Sequence, residues 1–164
     1  MKRSPTGNLE ATTRRRAREW AVQLLFQLDF NPAETLDPVF AAFWQEAQPE
    51  SREAMDFTER LVRGTTENRA DIDATLARYA QNWDVVRMGA VERAALRMAI
   101  YEMLHCTDIP PVVSINEAVD VAKYFSTTES GKFVNGILDR IRSTLDRPAR
   151  EAVKKTPRRP KSRG

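Results

Sequence analysis

The 164-residue sequence has very little of the chemistry that disulfides, metal sites and membrane spans require. It contains one cysteine, Cys106, and one histidine, His105. A single cysteine excludes an internal disulfide, and adjacent helical positions point about 100° apart, which disfavours a shared metal site or a Cys–His pair. The longest uncharged apolar stretch, WAVQLLFQL, is far shorter than the ~20 residues of a membrane-spanning helix. With no apolar run near the N-terminus either, we expect a cytoplasmic protein without a secretory signal, a bound metal or a cofactor.

Catalytic patterns are also scarce. The acidic residues form no spaced cluster on one face that would indicate a pair of catalytic carboxylates. The segment SGKF at 130–133 resembles part of a phosphate-binding loop, but Ser126 replaces the first glycine and Phe133 replaces the hydroxyl residue that would hold magnesium. The sequence therefore predicts a protein that is not an enzyme.

The charges are unevenly distributed along the chain, although the overall net charge is only +3. Residues 1–18 carry a net +5, residues 19–145 a net −8 and residues 146–164 a net +6. Two basic ends on an acidic body favour a polyanion at the ends and a basic partner on the body. The basic end at 147–164 is broken by prolines and poor in apolar residues, which predicts a basic disordered tail that aids solubility.

Apolar residues recur with helical spacing throughout the body, and no run alternates as a half-buried strand would. The fold class predicted is all-α, a compact bundle of about seven helices over residues 13–146, preceded by a disordered segment at 1–12. The first helix is expected to start near Thr13. Ser51 begins a helical region that breaks between Gly64 and Asn68, and Ser114 with Glu117 forms a capping box for a later helix. The helix from about residue 90 has apolar residues on two opposite sides, which predicts a central position.

The first helix carries arginines at a place where a helix disfavours cations. With a start near Thr13, Arg14, Arg15, Arg16 and Arg18 would lie at the positive end of the helix dipole, so an external anion is expected to compensate them. Phe26 lies off the core stripe of this helix on the side of Arg15, and Phe133 lies off the stripe of the last helix beside Lys132. Arginine beside an aromatic ring favours single-stranded RNA, whose phosphates and bases both find partners. Coverage of Phe26 by a second helix remains an open alternative.

Four blocks of sequence resemble the NusB family of bacterial transcription antitermination and termination factors. They occur in the family's order and cover most of the chain from Arg14 to Ile141. The blocks are RRRAREWAVQLLFQLDF (14–30), NWDVVRMGAVERAALRMAIYEML (82–104), VSINEAVDVAKYF (113–125) and GKFVNGILDRI (131–141).

This resemblance implies an all-α fold of two small helical subdomains and an RNA-binding function. It implies that the chain binds the boxA element of nascent rRNA leader transcripts together with NusE, a small-subunit ribosomal protein, and promotes antitermination by RNA polymerase. By position, the resemblance assigns RNA contacts to the arginine-rich motif, to Phe26, which stands where the family usually has tyrosine, and to a second segment. The residues assigned are Arg14, Arg15, Arg16, Arg18, Phe26, Lys132 and Phe133 for RNA and Glu92 for NusE.

Two other interpretations remain open at this point. One is a helical protein-binding adaptor with nonspecific RNA affinity, and the other is a stand-alone relative of the NusB-like domains in rRNA methyltransferases. The family includes both monomers and homodimers, so the sequence leaves the oligomeric state open.

Overall fold

Residues 5–80 and 88–145 are described by a computed structural model, with side chains from Leu9 onward. These ranges form seven α-helices and contain no β-strand, which confirms the all-α prediction for this part of the chain. The predicted basic tail at 147–164 lies outside the described residues. Of the helices in the described ranges, none has the length and apolarity needed to cross a membrane. The helices are α1 (Pro5–Phe30), α2 (Asp37–Ala47), α3 (Arg52–Glu67), α4 (Arg69–Tyr79), α5 (Ala90–His105), α6 (Pro111–Phe125) and α7 (Thr128–Ser143).

The first helix begins at Pro5, well before the predicted start near Thr13. Proline is tolerated in the first turn because its missing N–H would have no partner there. Of the segment 1–12 that is predicted to be disordered, residues 5–12 are therefore helical in the structure. The earlier start also means that the arginines do not lie at the positive end of the helix dipole. The dipole acts mainly within the first turn, and Arg14 lies more than two turns into α1.

The predicted break in the long helical region is confirmed. The Ser51 hydroxyl accepts a hydrogen bond from the Ala54 backbone N–H at 3.1 Å and so caps α3. Asn68 separates α3 from α4, and its side-chain amide donates to the Gly64 carbonyl at 2.8 Å. A polar residue that binds the backbone of the preceding turn competes with helix continuation.

The predicted capping box at Ser114 is wrong. Helix α6 begins earlier, at Pro111, with Pro110 in the N-cap position. Two prolines set the backbone for a helix start without needing a capping side chain. Ser114 is instead buried inside α6, where its hydroxyl donates to a Glu102 carboxylate oxygen of α5 at 3.1 Å.

Helix α5 occupies the centre of the fold, as its two-sided apolar pattern predicts. It contacts α1, α3, α4, α6 and α7, and its residues Leu96, Met98 and Ile100 are fully buried. The most extensive packing elsewhere is α6 against α7 and α1 against α3. Helix α5 therefore links the helices that precede it in the chain, α1, α3 and α4, to those that follow it, α6 and α7.

Ion pairs fasten the end of α1 to α4 and α5. Asp29 accepts hydrogen bonds from Arg93 Nε at 2.8 Å and from Arg97 Nη1 at 3.3 Å, while Arg97 Nε also donates to Asp73 at 2.7 Å. Burial alone would raise the pKa of Asp29, but hydrogen bonds and charge from Arg93 and Arg97 outweigh it and hold that pKa below its ordinary value. The network orients the first turns of α5, where Glu92 lies.

Candidate nucleic-acid interface

Arg14 and Arg16 present guanidinium groups on the surface of α1 above aromatic rings. The Arg14 guanidinium carbon lies 4.8 Å from the centroid of the Phe57 ring, and that of Arg16 lies 5.0 Å from the Trp20 ring. The two side chains remain 31% and 57% exposed. Stacking on a ring orients a guanidinium while leaving its N–H edge available to a phosphate oxygen.

The acidic neighbours of these two arginines bind them weakly. Arg14 lies 3.9 Å from a Glu10 carboxylate oxygen, and Arg16 lies 3.2 Å from Glu19, both within the same helix. Exposed pairs of this kind contribute about 0–1 kcal/mol. A phosphate can displace them at little cost.

Arg15 is more firmly held, because two carboxylates of α6 share its guanidinium. Its Nη2 donates to Glu117 at 3.0 Å and to Asp120 at 2.8 Å, and its Nε also donates to Glu117. The hydrogen bond to Glu117 raises the pKa of Arg15 above its ordinary value, although partial burial acts in the opposite direction. An RNA phosphate would have to compete with these carboxylates for Arg15.

Arg18 departs from its predicted role as an RNA contact, because it lies inside the protein. Its side chain is 2% exposed and donates to Glu102, which is 0% exposed, through Nη2 at 2.7 Å and through Nε at 3.0 Å. Membership of an arginine-rich run does not reveal that one helical face of the run points inward. The signal in the sequence that could indicate a buried arginine is Glu102. It lies in a helix that is apolar on two sides, and a buried carboxylate needs a cation as its partner.

Phe26 is exposed as predicted, and Phe30 extends its aromatic surface. Phe26 is 40% exposed and Phe30 is 63% exposed, with ring centroids 5.0 Å apart. Phe26 borders an open groove between α1 and α2, so no helix in the described ranges covers its ring. The open alternative of a covered Phe26 is thereby excluded for this part of the chain.

The second predicted segment, at the start of α7, is only partly exposed. Lys132 is 70% exposed and lies 3.3 Å from a Glu129 carboxylate oxygen. Phe133 is half-buried and packs partly against the core, so less of its ring is exposed than the helical wheel predicts. Phe133 and Glu92 line the same surface groove, and Glu92 accepts a hydrogen bond from the Ser130 hydroxyl. The residue predicted to contact NusE therefore adjoins the residues predicted to contact RNA.

Helix α6 connects the two predicted RNA segments. Asp120 contacts Arg15, and one turn later the stem of Lys123 lies so close to Gly131 that a Cβ there would be 2.6 Å from Lys123 Cγ. Lys123 is exposed, which adds a cation between α1 and Lys132. Sequence reasoning missed Lys123, although it lies one turn after Asp120 in the block VSINEAVDVAKYF. The exposed edge of α6 thus joins the two predicted RNA-binding segments, in α1 and at the start of α7, into one surface.

Comparison with known proteins gives a consistent family match. A model of the NusB family matches residues 15–143. The transcription antitermination protein NusB of Symbiobacterium thermophilum is 44% identical over 135 residues, which cover 79% of this chain and 88% of that protein.

Two solved structures share the fold. NusB from T. maritima superposes with a TM-score of 0.72 at 40% identity, covering 80% of this chain and 91% of that one. A structure of antitermination factors NusB and NusE in complex with dsRNA gives a TM-score of 0.74 at 26% identity, covering 82% of this chain and 98% of that one.

Proposed function

The chain belongs to the NusB family, and from this membership we propose that it is an RNA-binding antitermination factor of the cytoplasm. Together with NusE it binds boxA RNA of nascent rRNA leader transcripts and promotes antitermination by RNA polymerase. It acts by binding rather than by catalysis. The observation that supports the proposal is the exposed edge of α6, where Arg15 of α1 contacts Asp120 and where Lys123 packs against Gly131, next to Lys132. Arg14 and Arg16 flank Arg15 on α1.

The side chains of this surface divide into two kinds of contact. Arg14, Arg16 and Lys132 supply charge for phosphates, which position an RNA without reading its sequence. Phe26 and the exposed part of Phe133 supply rings on which unpaired bases stack. Specificity for boxA requires the base contacts, because every RNA offers the same phosphates.

The test is a fluorescence-anisotropy titration of a boxA RNA and a scrambled RNA of equal composition, each with and without NusE. We expect the protein to prefer boxA and NusE to increase that preference. Equal affinity for both RNAs in both conditions would instead support an adaptor with nonspecific RNA affinity.

For the partner, we expect Glu92→Lys to weaken NusE binding by about 1–3 kcal/mol, because NusE is expected to be basic and Glu92 lies on an open groove. Glu92→Gln removes the charge but retains an acceptor for Ser130, so it separates the charge effect from the loss of that hydrogen bond. Glu53→Lys, an equal charge change at an exposed position of α3, serves as the control. Calorimetry that gives the same NusE affinity for all these variants and the parent would remove Glu92 from the interface.

For Arg15, we expect Asp120→Asn to increase RNA affinity up to about fivefold. The substitution removes a carboxylate that competes with phosphate for Arg15, and exposed pairs contribute about 0.2–1 kcal/mol. Asp71→Asn makes the same charge change at an exposed position of α4 and should leave the affinity unchanged. If both variants raise the affinity equally, the effect is one of net charge and the pair with Arg15 does not restrain binding.

A further inference from the structure

Exposed side chains continue along α1 beyond the basic residues, in a stripe that the core does not use. Arg16, Gln23, Gln27 and Phe30 follow one another at intervals close to whole helical turns, with Phe26 beside them, and all of these side chains are exposed. At 1.5 Å per residue, the stripe from Arg16 to Phe30 is about 21 Å long.

A groove follows this stripe on the side of α2. It is open to solvent, and residues of both helices line it, including Gln23, Phe26, Gln27 and Phe43. Its two ends differ in charge. Arg16 lies at one end, whereas α1 ends at Phe30, where the C-terminal end of the helix dipole carries partial negative charge.

Phe30 is the most exposed ring of α1. It is 63% exposed, and its ring is tilted 53° from that of Phe26 at a centroid distance of 5.0 Å. The two rings therefore form one continuous aromatic surface outside the core. Large apolar side chains grouped on a surface are typical of an interaction site.

We propose that the stripe from Arg16 to Phe30 is a track for single-stranded RNA that flanks boxA, with Phe30 as an additional base-stacking ring. The proposal rests on the proposed function and extends its surface to the far end of α1. The chemistry of the track is that of an unpaired strand: a guanidinium for a phosphate, glutamine amides for base edges, and rings for base faces.

The charges of the groove determine how the strand lies in it. The carbonyl end of α1 adjoins Phe30 and disfavours phosphates there. Glu46 lines the opposite end of the groove, next to Ala47, which borders Arg16 and Thr13. Between Arg16 and Phe30, the bases therefore face the groove and the rings, and the phosphates face the solvent. Arg16 is the phosphate contact at the start of the track. Binding at Phe30 then depends on stacking and only weakly on salt.

The experiment compares Phe30→Ala with the parent protein on three RNAs: boxA alone, boxA extended on its 5′ side and boxA extended on its 3′ side. We expect Phe30→Ala to lower the affinity for one extended RNA about 5- to 100-fold with an unchanged salt slope, and to leave boxA alone nearly unaffected. Phe30→Tyr retains the ring and should bind like the parent. Leu104→Ala, which removes an exposed apolar side chain from α5, is the matched control, and thermal melting checks the fold of each variant.

Three outcomes would overturn the track. One is an unchanged affinity of Phe30→Ala for all three RNAs. The others are a loss confined to NusE binding or to self-association in sedimentation, which would make the aromatic pair a protein interface. The proposed function is tested separately by the preference of the parent protein for boxA over scrambled RNA, so failure of the track leaves that preference intact.

Discussion

Replacing Glu102 with leucine is expected to lower the free energy of unfolding by about 3–5 kcal/mol. The substitution leaves the Arg18 guanidinium, which is 2% exposed, with Glu117 as its remaining carboxylate, 4.0 Å from Nη1 and without a hydrogen bond to it. Ser114 also loses the acceptor for its hydroxyl. Urea unfolding followed by circular dichroism measures the loss, which is a large part of the stability of a domain of this size.

The double variant Arg18→Met with Glu102→Leu provides the control. Replacing both charges with apolar groups of similar size is often neutral or stabilising, so we expect most of the lost stability to return. The double variant should also bind RNA like the parent, because Arg18 does not reach the surface. A Glu102→Leu protein as stable as the parent would contradict the buried pair, and a double variant that is stable but has lost RNA affinity would return Arg18 to the RNA contacts.

Replacing Arg14, Arg16 and Lys132 together with alanine is expected to reduce RNA affinity by two orders of magnitude or more at low salt. Each of these cations can make a charge-assisted contact with a phosphate, and such contacts contribute about 1.5–3 kcal/mol each. Each contact also adds about −0.7 to the slope of log affinity against log salt on a single strand, so the triple alanine variant should flatten that slope by about 2. Anisotropy titrations at four or five salt concentrations give both quantities.

The matched control removes three arginines from other parts of the surface: Arg63, Arg78 and Arg142. It makes the same change in net charge, so a reduction that depends only on net charge would be equal in both proteins. We expect the control to retain most of the affinity and the slope. Equal losses would show that RNA binds to the charge of the whole molecule rather than to this surface.

Local signals in the sequence predict the helices better than they predict which side chains reach the surface. Ser51 and Asn68 act through their own backbone neighbours, so a short window suffices to identify them. The prediction of a cap at Ser114 is wrong because the partner of its hydroxyl, Glu102, lies on another helix. Only the packing of α5 and α6 brings these two residues together.

The candidate site shows the same limit. A run of four arginines indicates an anion-binding segment, but its residues point in different directions around α1. Arg14 and Arg16 are placed above rings, Arg15 is paired with α6, and Arg18 is buried. The contribution of Lys123 depends on the contact between α6 and α7, which no local pattern contains.

The most direct measurement of the RNA surface is a titration of the isotope-labelled protein with boxA RNA, followed by NMR. The protein is 18.7 kDa, within the range of backbone amide spectra. We expect the largest shifts in α1 around Arg14, Arg16 and Phe26, at Lys123 of α6, and at Lys132 and Phe133 of α7. Large shifts confined to other surfaces, such as α4 or the last turns of α7, with these residues unchanged, would contradict the account.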